Sequence, residues 1–208
     1  MRSLTHLLPL SVATLISGLS GVLLGHLSHE VYVIGLVPIA LGLVAAGLVS
    51  LVSLVVANVA VGTRVFSASF AIIIGWGAFQ SGQDTAFVEH WRLDYAAAKQ
   101  ASAGVEPSET IGADEALFYV QGADEVLERE VLRVTGERGF VGRWLFRADA
   151  GVRLLGPANG GRGLALGRVG AIVWACLEIL LALWVARRLL LRVERLLDLE
   201  RTSKEDVQ

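Results

Sequence analysis

The segment Gly167–Arg188, GRVGAIVWACLEILLALWVARR, decides the fold class of this chain. A helix of about 20 apolar residues crosses the hydrocarbon core of a bilayer, and this segment has that length and composition. It ends in two arginines, which is typical of the cytoplasmic end of a span. One carboxylate, Glu178, lies near its middle. The segment therefore predicts a transmembrane helix that carries a polar group inside the membrane.

The rest of the chain has a blockwise distribution of charge. Only 18% of the residues are charged and 54% are hydrophobic, whereas soluble proteins average about 25% charged residues. Before Asp84 the only charged residues are Arg2, Glu30 and Arg64. This pattern predicts several spans and one polar domain. The net charge of −2 gives no reason to expect a nucleic-acid partner, and the single cysteine excludes a disulfide within one chain.

Three further spans are predicted in the first 80 residues. The first runs over about 7–25; its basic start also suits a cleaved signal peptide, but no small-residue cleavage site follows, so we predict an uncleaved span. Residues 31–79 are apolar except for Arg64, too long for one span and suitable for two. We place these over about 31–57 and 61–80, with a turn within residues 58–64.

Residues 81–166 have the composition of a water-facing, mostly helical domain. Predicted helices cover residues 89–101 and 123–135, joined by a loop over 103–111. The second is amphipathic, with Val126, Leu127, Val131 and Val134 on one side, and Gly136 suits its C-terminal cap. Residues 140–147 resemble an interfacial helix, and 156–167 a flexible lead into the fourth span, 167–188. The fold class is mainly α: a four-transmembrane-helix bundle with an extracytoplasmic domain between helices 3 and 4.

The arginines predict the orientation. Arg2, Arg64 and the cluster after Trp184 fall on one side of a four-span protein, whereas the short link 26–30 has neither Lys nor Arg. The positive-inside rule then places both termini in the cytoplasm. Residues 189–208 become a cytoplasmic amphipathic tail helix, and 81–166 lie outside.

Residues Gly139–Arg188 carry a resemblance. The run GFVGRWLFRADAGVRLL, a Gly-rich link and a span containing Trp174 and Glu178 as Trp-x-x-x-Glu resemble the C-terminal part of an uncharacterised family of small bacterial four-span proteins. The resemblance covers about a quarter of the chain. It implies the same architecture and a bacterial inner membrane, and it implies no activity.

Small residues predict where helices pack. They recur at helical spacing, which lets two backbones approach closely. The stripes include Gly18, Gly21 and Gly25 in the first span, Gly35 and Gly42 in the second, and Ala171, Ala175 and Ala182 in the fourth. An alternative is that glycine is simply common in membrane spans.

Glu178 lies on the small-residue side of the fourth span, so we expect it to face protein or water. At its depth we expect Thr14 and Ser17 as the first hydrogen-bond partners and Ser69 next. With neither Lys nor Arg at that depth, a largely protonated carboxyl is expected. Two interpretations stay open: a polar clamp between helices, or a proton-coupled or ligand site.

Two other patterns contain residue types that are found in binding sites. His26, His29, Glu30 and His90 are predicted on the outer side and have side chains that bind zinc, although their spacing differs from that of known metalloproteases; an ordinary polar rim is the alternative. The glycines at 160, 161 and 163 favour a hinge over a phosphate loop, since the Lys-Ser/Thr of such loops is missing.

These patterns predict a non-enzymatic membrane protein acting as an accessory subunit, scaffold or sensor through its outer domain. Its expected partners are the bilayer and either other membrane proteins or further copies of itself, and we expect no cofactor. Charge in the domain is polarised: residues 84–130 hold eleven acids, and 131–168 hold seven arginines. This polarity suits a partner or simply a solvated face. The alternatives are an oligomeric channel or proton-coupled transporter using Glu178, and a metal-dependent membrane enzyme.

Overall fold

A computed structural model describes residues 7–27, 36–56, 59–103, 113–150 and 167–205. Every regular element in these ranges is an α-helix. In chain order they are α1 (Leu7–Leu27), α2 (Leu36–Val55), α3 (Val61–Ala103), α4 (Ala113–Thr135), α5 (Gly139–Ala150) and α6 (Gly167–Glu205). The prediction of a mainly α chain is confirmed.

Four of these helices, α1, α2, α3 and α6, are long and apolar enough to cross a membrane. Two of them exceed a single span. At about 1.5 Å per residue, the 43 residues of α3 extend about 64 Å, and the 39 residues of α6 about 58 Å. Both lengths are close to twice the thickness of the hydrocarbon core, so each helix is longer than one crossing requires.

The structure corrects four predicted boundaries. The helix predicted over 123–135 begins ten residues earlier, at Ala113. Residues 61–80 and 89–101 belong to one unbroken helix, α3. The polar composition after Gln80 changes which surroundings the side chains favour, but it does not interrupt the hydrogen bonding of the helix backbone. The predicted turn over 58–64 is too long, since α3 already begins at Val61. The second span ends at Val55, and residues 31–35, including Gly35, lie outside the described residues.

By its internal contacts the chain divides into two units. The first, which we call the apolar unit, comprises residues 1–24, 33–80 and 172–208. The second, which we call the polar unit, comprises residues 25–32 and 81–171. The boundaries fall inside α1, α3 and α6.

The core of the apolar unit consists mainly of alanine. Its buried residues are Ala13, Ala45, Ala46, Val49, Ala68, Ala71, Ile72, Ala182, Ala186 and Leu190. Small side chains let helix backbones approach closely, which is how helices associate where hydrocarbon removes the hydrophobic driving force. Larger side chains such as Leu15, Leu19, Leu23 and Leu51 are exposed on the outside of the unit, as expected for a surface that faces lipid.

In the polar unit, α4 buries one stripe at intervals of four residues: Ala123, Leu127, Val131 and Thr135. The predicted face is therefore half wrong, because Val126 and Val134 are exposed. Small residues occupy part of the stripe, and only the larger valines nearby drew attention in the sequence. Gly136 ends the helix as predicted: its φ is +73°, and its N–H donates to the carbonyl of Leu132 at 2.8 Å.

The apolar face predicted for α5, which comprises Phe140, Val141, Trp144 and Leu145, also needs correction. Leu145 is buried and packs inside the unit, whereas Phe140 and Val141 are exposed. The four apolar residues of the predicted interfacial face, which also included Trp144, therefore do not share one environment. A short turn connects α4 to α5, so exposed Val134 precedes exposed Phe140 by only six residues.

Candidate functional site

Close packing of α1 against α3 positions the candidate site in the apolar unit. A Cβ on Gly21 would overlap the carbonyl oxygen of Gly75, so the two backbones are in direct contact at this pair. A Cβ on Gly75 would in turn lie 3.0 Å from the carbonyl oxygen of Ser17 and 3.2 Å from the side chain of Leu41. This crossing fixes the position of the residue that follows, Trp76.

Glu178 is the polar centre of the apolar unit. Its side chain is buried, with 6% of the residue exposed, and each carboxylate oxygen accepts a hydrogen bond from an indole. Trp76 Nε1 on α3 donates to Oε2 at 2.9 Å, and Trp174 Nε1, one turn earlier on α6, donates to Oε1 at 3.1 Å. An indole N–H in apolar surroundings needs an acceptor, and Glu178 supplies one for both of these half-buried tryptophans. We call this arrangement the clamp. Its two donors are uncharged N–H groups, and the hydrogen bond from Trp76 links α3 to α6.

Two of the hydroxyl partners expected for Glu178, Thr14 and Ser17, are wrong, and Ser69 stays a prediction. The Oγ atoms of Thr14 and Ser17 are buried and accept or donate no hydrogen bond among the described residues. Ser17 nevertheless lies against Gly75, one residue from Trp76, so the estimate of its depth was close. Ser69 is half-buried. The sequence signal for these partners is the indole N–H, because Trp is an apolar side chain that also carries a hydrogen-bond donor.

The residues predicted to lie in helix contacts differ in how tightly they are packed. On α6, Ala171, Ala175 and Ala182 are buried, whereas Leu177, Leu180 and Trp184 are exposed, in agreement with the predicted faces. Gly42 is in a tight contact, since a Cβ there would lie 2.6 Å from the carbonyl oxygen of Ala182. Gly18 is looser, with 3.8 Å to Ile74. Gly25 is buried.

The proposed metal ligands remain scattered where they can be seen. His26 and His90 are both exposed, and His90 lies 3.4 Å from Asp94 on the same helix. His29 and Glu30 lie outside the described residues, as do the glycines at 160, 161 and 163. Within the described ranges no three His, Cys, Asp or Glu side chains are grouped so that they could hold a metal ion. The metal-dependent enzyme stays an untested prediction.

The polar unit contains a second cluster, which the sequence did not reveal. Arg143 on α5 donates from Nη2 to Asp84 Oδ2 at 2.7 Å and from Nη1 to Glu128. Asp84 belongs to α3 and Glu128 to α4, so one guanidinium connects three helices. The other oxygen of Glu128 accepts from the N–H of Gly139 at 3.0 Å, the first residue of α5. Hydrogen bonds with Asp84 raise the pKa of Arg143 further above its ordinary value.

Arg147, one turn after Arg143, is the least satisfied charge of this cluster. Its Nη2 lies 4.0 Å from Asp84 Oδ1, too far for a hydrogen bond, and neither Nε nor Nη2 finds a hydrogen-bond partner among the described residues. Burial lowers the pKa of Arg147 to about 10, with the opposing attraction of Asp84 smaller. The cluster therefore contains one well-bonded arginine and one that is mainly desolvated.

A more exposed pair joins α3 to α4 as well. Arg92 and Asp124 form a two-pronged ion pair at 2.8 and 2.7 Å, and hydrogen bonding by Arg92 lowers the pKa of Asp124. Nearby, Trp91 Nε1 donates to the carbonyl of Ala123 at 3.2 Å. These contacts, together with the Arg143 cluster, hold the polar unit together by paired polar groups and give it an ordered surface.

Comparisons with family models, with curated proteins and with solved structures found no match to this chain. The resemblance carried by Gly139–Arg188 therefore stays a prediction.

Proposed function

We propose that this chain is a non-enzymatic integral membrane protein that works as an accessory subunit or scaffold and binds a partner protein through its polar unit. The observation that carries the proposal is the exposed apolar group at the α4–α5 turn: Val134, Phe140 and Val141 are 42%, 43% and 54% exposed. These three side chains lie within eight residues of sequence around the turn, and exposed aromatic and aliphatic side chains favour protein contact.

The arginine distribution supports an orientation for this partner surface. Arg64 and the arginines after Trp184 favour the cytoplasmic side, which would place both termini inside and the polar unit outside a bacterial inner membrane. The bacterial assignment depends on the resemblance of Gly139–Arg188. Self-association through the small-residue stripes would add copies of this chain to the assembly.

One labelling experiment tests the partner surface and its side of the membrane. Cys176 is replaced by Ala, and Phe140→Cys on α5 is compared with Glu125→Cys, an exposed position on α4. Intact cells are treated with a crosslinker that carries a maleimide and does not cross membranes. Both cysteines should be labelled without lysis, and only Phe140→Cys should give a discrete adduct with one partner.

Two results would contradict this proposal. Labelling of both cysteines only after lysis would place the polar unit in the cytoplasm. Identical adducts from Phe140→Cys and Glu125→Cys, or adducts from neither, would remove the α4–α5 turn as a specific partner surface.

The second candidate function is proton-coupled transport through an oligomer, and the buried carboxyl of Glu178 favours it. The two indoles that contact Glu178 are neutral donors, so neither carries a charge that would balance a carboxylate. If the hypothesis is correct, proteoliposomes that contain the wild-type protein should show a proton flux, and Glu178→Gln should abolish it. Unchanged flux in this variant would remove the transport hypothesis.

The clamp makes a separate prediction. Trp76→Phe keeps an aromatic side chain and removes the donor to Glu178, and interhelical hydrogen bonds in membranes contribute roughly 0.6–1.7 kcal/mol. We expect the free energy of unfolding in detergent to fall by about 1 kcal/mol. Trp184→Phe is the matched control, because Trp184 is exposed and its ring contacts only Arg188 in a cation–π pair among the described interactions. Equal losses for both variants would show that the clamp adds nothing.

A further inference from the structure

The apolar unit contains a groove between the start of α3 and the second half of α6. Its volume is about 540 Å³. Val61 and Val65 form one wall on the first turn of α3, and Leu190 and Leu191 form the opposite wall. The floor beside Gly62 is open, since a Cβ placed there would meet no atom within 4 Å. The groove therefore has apolar walls and open space beside the backbone of α3.

Charged side chains line the same groove. Arg64 and Arg187 approach it from α3 and α6, and Glu194 is the acid among its lining residues. Arg64 is half-buried and donates from Nε to the carbonyl of Val59 at 3.1 Å, which fixes its guanidinium near the start of α3. Arg187 is exposed. Two cations facing one anion leave a net positive charge beside apolar walls.

We propose that this groove binds an anionic glycerophospholipid, with the lipid phosphate held by Arg64 and Arg187 and an acyl chain along Val65, towards the apolar part of α3. The combination of walls and charges matches the two chemically different parts of such a molecule. Ligand pockets usually measure about 300–1,000 Å³, and this volume suits a headgroup with the beginning of a chain. Arginine also pairs with phosphate through two parallel hydrogen bonds.

The position of the groove along its helices agrees with a lipid occupant. Arg187 follows directly on the apolar part of α6, and Val61 starts the apolar part of α3, so the groove lies where apolar helix meets charged residues. Anionic lipids accumulate opposite such basic boundaries, at about 1 kcal/mol for each Lys or Arg near the surface, which corresponds to roughly fivefold in affinity.

The test uses the full chain, purified in detergent and titrated with phosphatidylglycerol or with phosphatidylcholine, with bound lipid counted by native mass spectrometry. Arg187→Gln and Arg64→Gln should each weaken phosphatidylglycerol binding about fivefold. Glu194→Gln should strengthen it, because it removes the opposing charge. The control is Arg195→Gln, an exposed arginine that does not line the groove, and its affinity should equal that of the wild type.

Three outcomes would overturn the proposal. Equal losses in Arg187→Gln and Arg195→Gln would indicate a diffuse attraction to the basic surface of α6. Equal binding of the two lipids would show that the arginines do not recognise the anionic headgroup. Complete displacement of phosphatidylglycerol by millimolar inorganic phosphate would indicate a site for free phosphate. If Arg64→Gln fails to fold because the bond to Val59 is lost, the Arg187 and Glu194 variants still decide, since their effects have opposite signs.

Discussion

Gly21→Leu should prevent close packing of α1 against α3 and destabilise the apolar unit. Even the first carbon of the new side chain would overlap the carbonyl oxygen of Gly75. This obstacle is backbone, which cannot rotate out of the way, so the helices must separate. Overpacking of a filled core usually costs about 1–3 kcal/mol, and we expect the upper part of that range or more. The measurement is unfolding of the purified protein in detergent, followed by helical circular dichroism.

Gly47→Leu provides a matched control for this prediction. Gly47 is exposed on α2, and a Cβ there would meet no atom within 4 Å. Replacing Gly inside a helix removes a penalty of about 1 kcal/mol, so this variant should be as stable as the wild type or slightly more so. Gly21→Ala should already be destabilising, because the overlap involves Cβ itself. Wild-type stability of Gly21→Leu would show that the α1–α3 contact is dispensable.

The glycine contacts show how far a single sequence reaches. The spacing of Gly18, Gly21 and Gly25 identifies the face of α1 that packs, because the period of a helix is known. It cannot identify the partner, since Gly75 was not in any predicted stripe. Similarly, the spacing on α6 assigned Glu178 to the buried side. Which side chain it meets depends on the rotation and tilt of α3, and these are set by packing over the whole unit.

The Trp76–Glu178 pair could have been proposed from the sequence with one more physical argument. Both lie within predicted spans, and each has a polar group that hydrocarbon leaves unsatisfied: an N–H donor on the indole and two acceptor oxygens on the carboxyl. Matching donors to acceptors at equal depth would have included Trp76 beside Ser17. The separation of 102 residues along the chain was not itself the obstacle.

The polar unit was harder to predict for a different reason. Asp84 and Arg143 are 59 residues apart, in a stretch with many charges, and nothing in their local sequence distinguishes them from solvated neighbours. Arg143 and Arg147 do share one helical face, at a spacing of four. That spacing indicates that the two cations face the same environment. The acid near both of them, Asp84, can be identified only once the packing of α3 against α5 is known.

Arg143→Met should strongly destabilise the polar unit. The substitution leaves Asp84, whose side chain is only 10% exposed, and Glu128 without the guanidinium that bonds to both. Removing one partner of a buried ion pair costs about 3–5 kcal/mol, because the remaining charge stays desolvated. Hydrogen bonds that connect α3, α4 and α5 are lost in the same step. We expect a matching fall in the free energy of unfolding, measured by urea titration of the full chain in detergent with hydrogen exchange as the probe of this unit.

Arg133→Met is the control, because it removes the same side chain from an exposed ion pair in the same unit. Arg133 contacts Glu130 within one turn of α4, and the two side chains are 70% and 36% exposed. Exposed pairs contribute about 0.2–1 kcal/mol, so the unfolding curve should hardly move. A double-mutant cycle of Asp84→Asn with Arg143→Met should give a coupling energy of about 0.5–3 kcal/mol. If Arg143→Met and Arg133→Met had equal small effects, the three-helix cluster would be an incidental surface pair, and burial would not explain the order of the polar unit.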